Sequence, residues 1–369
     1  MKTISLCMIV KNEENCIEQC LKSIQDLVDE IIIVDTGSTD KTKEICSKYT
    51  NNIFDFKWNN DFAEARNYSF SKATCDYIFW LDADDILLNT DRDKFKQLKN
   101  NLNYDYVSMI YNCSSNEHGN PSLSFRRNRL IKRSLNPTWV GFVHEIINLN
   151  IMNAYSSDIC ITHTKTHSSS DRNLKIFERK RRSGEIFNTR NTLYYAKELF
   201  YNGKYQFAIN EFNKFLKCDD CWVEDKIDTL IKLYECHTEL DKKYPIRTQQ
   251  INSQERRRSF LFETFKLTYP RAEALYRIAI TYIEEERYYE AIFYLESIFS
   301  MEFPENCAGF INKDMWTILP HLQLCFCYYQ LGNIRLSLQH HDKCMEISPN
   351  NEVVKSNEQY FKQIRNEIQ

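Results

Sequence analysis

Over the first ~165 residues short apolar runs alternate with stretches of helical periodicity, whereas beyond about residue 170 only helical spacing persists. Ile4 to Val10 reads as a buried strand. Asn12 follows as the expected cap of a helix in which Ile17, Cys20, Leu21, Ile24 and Val28 recur at helical spacing. The next run, Ile31 to Val34, is an aliphatic strand ending on Asp35, with a turn at Gly37 and Thr39 or Asp40 as the cap of a second helix. A third strand spans Tyr77 to Leu81. This alternation predicts a mainly parallel sheet covered by helices. Each of the three strands finishes in polar residues, at the C-terminal edge where open α/β sheets bind ligands.

In the helical part three segments share one spacing. Ala196, Gly203, Tyr205, Ala208 and Phe212 match Ala279, Glu286, Tyr288, Ala291 and Leu295, and again Cys325, Gly332, Ile334, Ser337 and His341. Small residues twelve apart with a turn between them let two antiparallel helices pack closely, the logic of tetratricopeptide repeats. A fourth, degenerate unit is expected from Asp228 to Pro270, with the polar insertion Lys242 to Ser253 in its turn. Pro270 and Pro349 stand where such units end their second helix.

Composition excludes more than it assigns. A length of 369 residues favours about two domains, and 43% apolar content supplies cores for both. With 48 basic against 51 acidic residues the formal charge is −3, so no global field marks a nucleic-acid or membrane partner. Basic runs at Arg126 to Arg129, Arg179 to Arg182 and Arg256 to Arg258 read as solvated faces. Fourteen cysteines, scattered along a chain too large to need a disulfide framework, read as reduced thiols. Neither Cys218-x-x-Cys221 nor Cys325-x-Cys327 has the partners of a zinc site. MKTISLCMIVKNEE lacks a signal-peptide cleavage site, and no run reaches the ~18 apolar residues of a membrane span. The expectation is a soluble cytoplasmic protein without a transmembrane segment.

Candidate chemistry concentrates in YIFWLDADDIL, Tyr77 to Leu87, where Asp82, Asp84 and Asp85 follow directly on a buried strand. Carboxylates so close repel one another and are costly to desolvate unless a cation offsets them. Hard oxygen ligands suit Mg2+ or Mn2+, which complete their shell with water and phosphate oxygens. The alternative is a polar strand end with Asp85 capping a helix. Asp35 can accept hydrogen bonds from a uracil N–H or ribose hydroxyls, and Asn12 and Glu13 would face the same crevice. In WNNDFAEARN, Trp58 to Asn67, Arg66 sits in a helical segment and can meet a phosphate with planar donors. The chain has seven glycines and no GxGxxG, so phosphate charge has to be met by metal and arginine.

In order and spacing, SLCMIVKNEE, EIIIVDTGSTDKT, DFAEARN and FWLDADDIL resemble the nucleotide-sugar half of family 2 glycosyltransferases with a GT-A fold. RLIKRSLNPTWVGFVHE and the His163 segment, followed by the repeats, resemble a subgroup that includes bacterial peptide S-glycosyltransferases of the sublancin type. The resemblance implies an α/β GT-A domain (nucleotide-diphospho-sugar transferase, Rossmann-like, mainly parallel sheet) over residues 1–168. A connecting helix over 169–190 and an all-α tetratricopeptide-like helical repeat domain over 191–369 would follow. It implies that Asp35 holds the uridine, Asp82 the ribose or the metal, and Asp84 the metal. Val10, Asn12, Glu13, Ser38, Arg66, Asn67, Ala83 and Arg129 would lie beside the nucleotide sugar. His163 falls where a late histidine completes the metal shell, and because ITHTKTHSSS departs from the usual pattern, His163 and His167 both stand as candidates.

The implied reaction is an inverting, Mn2+- or Mg2+-dependent transfer of a hexose or N-acetylhexosamine from a UDP-sugar. Glu145 in WVGFVHEII is the candidate base, with His144 as the alternative. The repeats would hold a peptide, protein or glycan acceptor, or pair two subunits into a homodimer. Two readings compete: a catalytically idle domain on a protein-binding repeat scaffold, and a sugar nucleotidyltransferase. The latter would be expected to carry a Gly-rich, Arg/Lys-bearing N-terminal loop that this chain lacks.

Overall fold

Strand β1 (Ile4–Val10) is buried almost throughout, as a parallel strand covered on both faces must be. The computed structural model to which it belongs describes residues 2–115, 121–148, 153–164, 171–245, 252–304 and 311–368. The chain divides into two compact units, residues 1–185 and 186–369.

In the first unit β1 is followed by α1 (Ile17–Ile24), β2 (Glu30–Asp35), α2 (Thr42–Cys46), β3 (Ile53–Asp55), α3 (Phe62–Ser71) and β4 (Tyr77–Trp80). Next come β5 (Asp85–Leu87), α4 (Asn89–Asn100), β6 (Tyr106–Ser115), β7 (Pro121–Lys132), β8 (Thr138–Val140), β9 (Ile146–Asn148), β10 (Ala154–His163) and α5 (Arg172–Arg182). The main sheet has the order β3-β2-β1-β4-β7-β6-β10-β5, while β8 and β9 form a separate ribbon. The β3-β2-β1-β4 half is wholly parallel. The chain steps outward from β1 through β2 to β3 and then crosses back to β4, so the strand order reverses between β1 and β4, where such sheets open a ligand crevice.

Alternation along the strands sorts side chains to two faces. Leu6, Met8, Ile33 and Phe79 pack with Ile17, Leu21 and Ile24 of α1 and Phe95 of α4. Cys7, Ile32, Ile78 and Trp80 pack with Ala63 and Phe70 of α3 and Trp139 of β8. The β7 strand runs antiparallel to both β4 and β6, β10 lies parallel to β6, and β5 pairs antiparallel with β10 at the far edge. Only four residues separate the end of β4 from the start of β5, yet three strands lie between them in the sheet. The sheet therefore curls, and β10 is brought round to the aspartate turn.

Two local expectations need correction. Asn12 does not cap α1, whose cap position is Cys16. With φ of 57° it instead turns toward the β2 loop, its Oδ1 accepting from the Thr39 amide at 2.8 Å. Val28 is buried but lies beyond the last residue of α1. Asp40 accepts from the Thr42 amide at 3.0 Å at the start of α2, although Lys41 occupies the formal cap position. The α5 helix packs inside the first unit, with Phe177 on Phe142 (ring centroids 5.0 Å apart) and Lys180 paired with Asp61 at 3.2 Å.

The second unit is helical: α6 (Thr189–Tyr201), α7 (Tyr205–Phe215), α8 (Val223–Lys243), α9 (Ser253–Thr264), α10 (Ala272–Glu284), α11 (Tyr288–Phe299), α12 (Ile318–Gln330), α13 (Ile334–Ile347) and α14 (Glu352–Ile368). Consecutive helices pack as pairs. The small residues read from the sequence sit in those pairings: Ala196, Ala208, Ala279 and Ala291 are wholly buried, and Ser337 Oγ donates to the Cys325 carbonyl at 2.7 Å. The degenerate unit is present as α8 and α9, and its first helix begins at Val223, ahead of Asp228. No helix among the described residues is long and apolar enough to cross a membrane.

Candidate active site

The ends of β1 and β2 are tied together by their loops. Asp35, the last residue of β2, is buried, and its Oδ2 accepts from the amides of Gly37 and Ser38 at 3.1 and 3.0 Å. Gly37 makes this turn with φ of 104°, a conformation open to glycine. Ser38 Oγ in turn accepts from the Asn12 amide at 3.0 Å, and the Glu13 amide donates to Thr42 Oγ1 at 2.7 Å. The Val10 carbonyl accepts from Thr36 at 2.9 Å. These bonds leave Asp35 Oδ1 buried without a hydrogen-bond partner.

At the end of β4, Asp82, Ala83, Asp84 and Asp85 form a tight turn. The Asp82 amide donates to Asp85 Oδ2 at 3.1 Å, and the Asp84 carbonyl accepts from the Thr164 amide at 2.7 Å. Strand pairing places His163 directly opposite Asp85. Its Nδ1 lies 3.4 Å from Asp84 Oδ1 and 3.6 Å from Asp85 Oδ1. Asp84, Asp85 and His163 are the group among the described residues whose ligand atoms, all within 4.8 Å of one another, could hold a metal ion. The donor set fits a divalent cation, because Asp85 Oδ1 and His163 Nδ1 are buried and lack hydrogen-bond partners. Asp84, and then Asp85, pushes the His163 pKa up to about 10. His167 lies outside the described residues.

Asp82, expected at the ribose or metal, is not one of the three residues of that metal group. Its Oδ1 accepts from Arg66 Nη2 at 2.7 Å. Burial alone would raise its pKa, but Arg66, Arg129 and Arg127 outweigh that and hold the carboxyl well below its usual range. Arg66 is buried on α3, its Nε donates to Glu145 Oε1 at 2.6 Å, and its guanidinium lies 5.0 Å from the ring centroids of both Trp80 and Trp139. Asn67, expected at the donor, spends its side chain on the backbone of Trp139, accepting from the amide at 2.7 Å and donating to the carbonyl at 2.9 Å. It thereby fixes β8, from which the chain runs through Gly141 to His144 and Glu145. His144 is exposed with φ of 53°, whereas Glu145 is partly buried against Arg66.

Arg129 also needs correction as a donor-facing residue. Its side chain is 0% exposed, 4.0 Å from the Trp80 ring centroid, and its Nη2 lies 2.9 Å from Asp85 Oδ2. A guanidinium so enclosed neutralises Asp85 from below. Sequence reading counted Asp85 among the clustered acids, with a helix cap as the alternative, but did not name it as a ligand beside Asp84 and His163. It also missed Arg127, whose signal was its two-residue spacing from Arg129 on β7.

Glycosyl transferase family 2 is matched over residues 5–148. The SPbeta prophage-derived glycosyltransferase SunS of Bacillus subtilis is 28% identical over 227 residues, which are 58% of this chain and 53% of that protein. A TPR repeat-containing protein of Synechococcus elongatus is 43% identical over 88 residues, 24% of this chain and 22% of that one. An uncharacterized glycosyltransferase of Haemophilus influenzae is 37% identical over 130 residues, 32% of this chain and 47% of that one. The chain thus spans about half the length, or less, of these curated relatives. The match begins in β1, takes in the aspartate turn and ends in β9, so the first unit carries a domain of glycosyl transferase family 2, followed in the chain by tetratricopeptide-like helical repeats.

Proposed function

We propose that this protein transfers a hexose or N-acetylhexosamine from a uridine diphosphate sugar to an acceptor, with Mn2+ or Mg2+ held by Asp84, Asp85 and His163 and with inversion at the anomeric carbon. The observation that carries this reading is a pair of buried ligand atoms without hydrogen-bond partners, Asp85 Oδ1 and His163 Nδ1, brought together beside the turn that follows β4. A bound divalent ion supplies charge stabilisation for a leaving diphosphate. Asp35 Oδ1, buried at the end of β2 without a hydrogen-bond partner, suits a nucleoside N–H or hydroxyl donor. Glu145, steadied by Arg66, takes the proton of the acceptor nucleophile, and the repeats present a peptide, protein or glycan acceptor.

The test is UDP release from a panel of nucleotide sugars with Mn2+, alone and with candidate acceptors. Metal-dependent UDP release by the wild type, abolished in a folded Asp84→Asn variant, is the expected result. Pyrophosphate chemistry in place of UDP release would overturn the reaction class. Full turnover by Asp84→Asn at the same metal concentration would remove the metal assignment.

A further inference from the structure

Three arginines surround the aspartate turn, and two of them are already committed. Arg66 is enclosed by Trp80 and Trp139 and donates to both Asp82 and Glu145. Arg129 is fully enclosed and paired with Asp85. Arg127 differs from both. Its side chain is 36% exposed, and its Nη1 stands 3.9 Å from Asp82 Oδ2, beyond hydrogen-bonding reach. Its guanidinium lies over the Tyr111 ring at 4.7 Å, with Phe125 at 5.4 Å and Trp80 at 5.7 Å. Stacking of this kind holds the planar cation in place without using its N–H groups. The Tyr111 ring is also the neighbour of His163, at 5.9 Å between centroids, so a single ring separates Arg127 from the metal group.

Building on the nucleotide-sugar reading above, we infer that Arg127 is the residue that grips the diphosphate of the donor. A diphosphate adds negative charge to a turn that already holds Asp82, Asp84 and Asp85. A cation at the metal group meets part of that charge. A half-exposed guanidinium with unspent donors, held flat on an aromatic face, meets the rest through paired N–H···O contacts. Arg126, its neighbour, reaches instead to β10 and donates to the Ser157 carbonyl at 2.7 Å, so it takes no part.

The experiment is calorimetric titration of the full chain with UDP, UMP and uridine in the presence of Mn2+, for the wild type, Arg127→Ala, Arg127→Lys and Arg126→Ala, with thermal melting of each as a check on folding. The expected result is that Arg127→Ala weakens UDP by about tenfold or more while uridine affinity stays at the wild-type value. Arg127→Lys recovers part of the loss, as a point charge without a planar fork would, and Arg126→Ala matches the wild type. Unchanged UDP affinity in Arg127→Ala overturns the inference and leaves the nucleotide-sugar reading intact. An equal loss for uridine and UDP also overturns it, since that pattern marks a general disturbance of the site. A folded wild type that binds no UDP with Mn2+ overturns the nucleotide-sugar reading and Arg127 with it.

Discussion

Arg66 joins two acids that both follow it in the chain at very different distances, Asp82 in the aspartate turn and Glu145 in the loop after β8. All three side chains are shielded, Arg66 and Glu145 most of all. Removing the guanidinium would leave two carboxylates close together and poorly solvated. Arg66→Ala is therefore expected to lower stability by about 3 kcal/mol or more, read from urea denaturation, with Arg66→Lys recovering only part. Glu145→Gln keeps the size of the side chain and removes its proton-accepting charge. Turnover should fall by about a hundredfold while UDP affinity changes little, a split that steady-state kinetics and calorimetry resolve together. Arg66, Asp82 and Glu145 were each legible in the sequence as candidates. Their mutual contact was not, because it depends on where α3 places one helical turn relative to a ribbon more than seventy residues away.

At the scale of the element, the repeats show how far spacing alone can carry a reading. Gly203, Glu286 and Gly332 occupy equivalent turns, and all three have left-handed backbones, with φ of 70°, 58° and 72°. Glycine adopts this conformation without a Cβ penalty, and glutamate does not. Glu286→Gly should raise the thermal midpoint, with a gain of up to about 1 kcal/mol after the added freedom of the unfolded chain is subtracted. The same unit contains a partly buried histidine pair that the pattern did not announce. His321 on α12 and His340 on α13 meet through their Nδ1 atoms at 2.9 Å, and Phe299 of α11 stacks on His321. Burial first, then His340 and Lys343, lowers the His321 pKa from 6.5 to about 4, with Glu346 opposing. The unfolded chain therefore binds a proton at His321 before the folded chain does. Stability should fall as pH drops from 6.5 toward 4, and His321→Asn should flatten that slope in melts recorded across the range. His237, stacked on Phe260, adds a contribution of the same sign.

At the scale of the whole molecule, the first unit has its own buried layers on both faces of the sheet, and the candidate site lies within it. Residues 1–185 expressed alone are expected to bind UDP with Mn2+ at close to the full-chain affinity but to lose transfer to a macromolecular acceptor. Transfer by the fragment at the full-chain rate would show that the repeats do not present the acceptor. The sequence by itself determined the parallel strands, because a strand buried on both faces must be apolar along its length, and it determined the helix pairs, because close packing demands small residues at fixed intervals. It also located the acidic turn, since charge at the end of a buried strand is conspicuous. Only tertiary structure decided which acids share a site. The curl of the sheet carries β10 round to set His163 against Asp84 and Asp85, and the enclosure of Arg66 and Arg129 leaves Arg127 facing outward. Those outcomes rest on strand order and on competition among buried charges for partners, and neither is encoded in the spacing of residues along the chain.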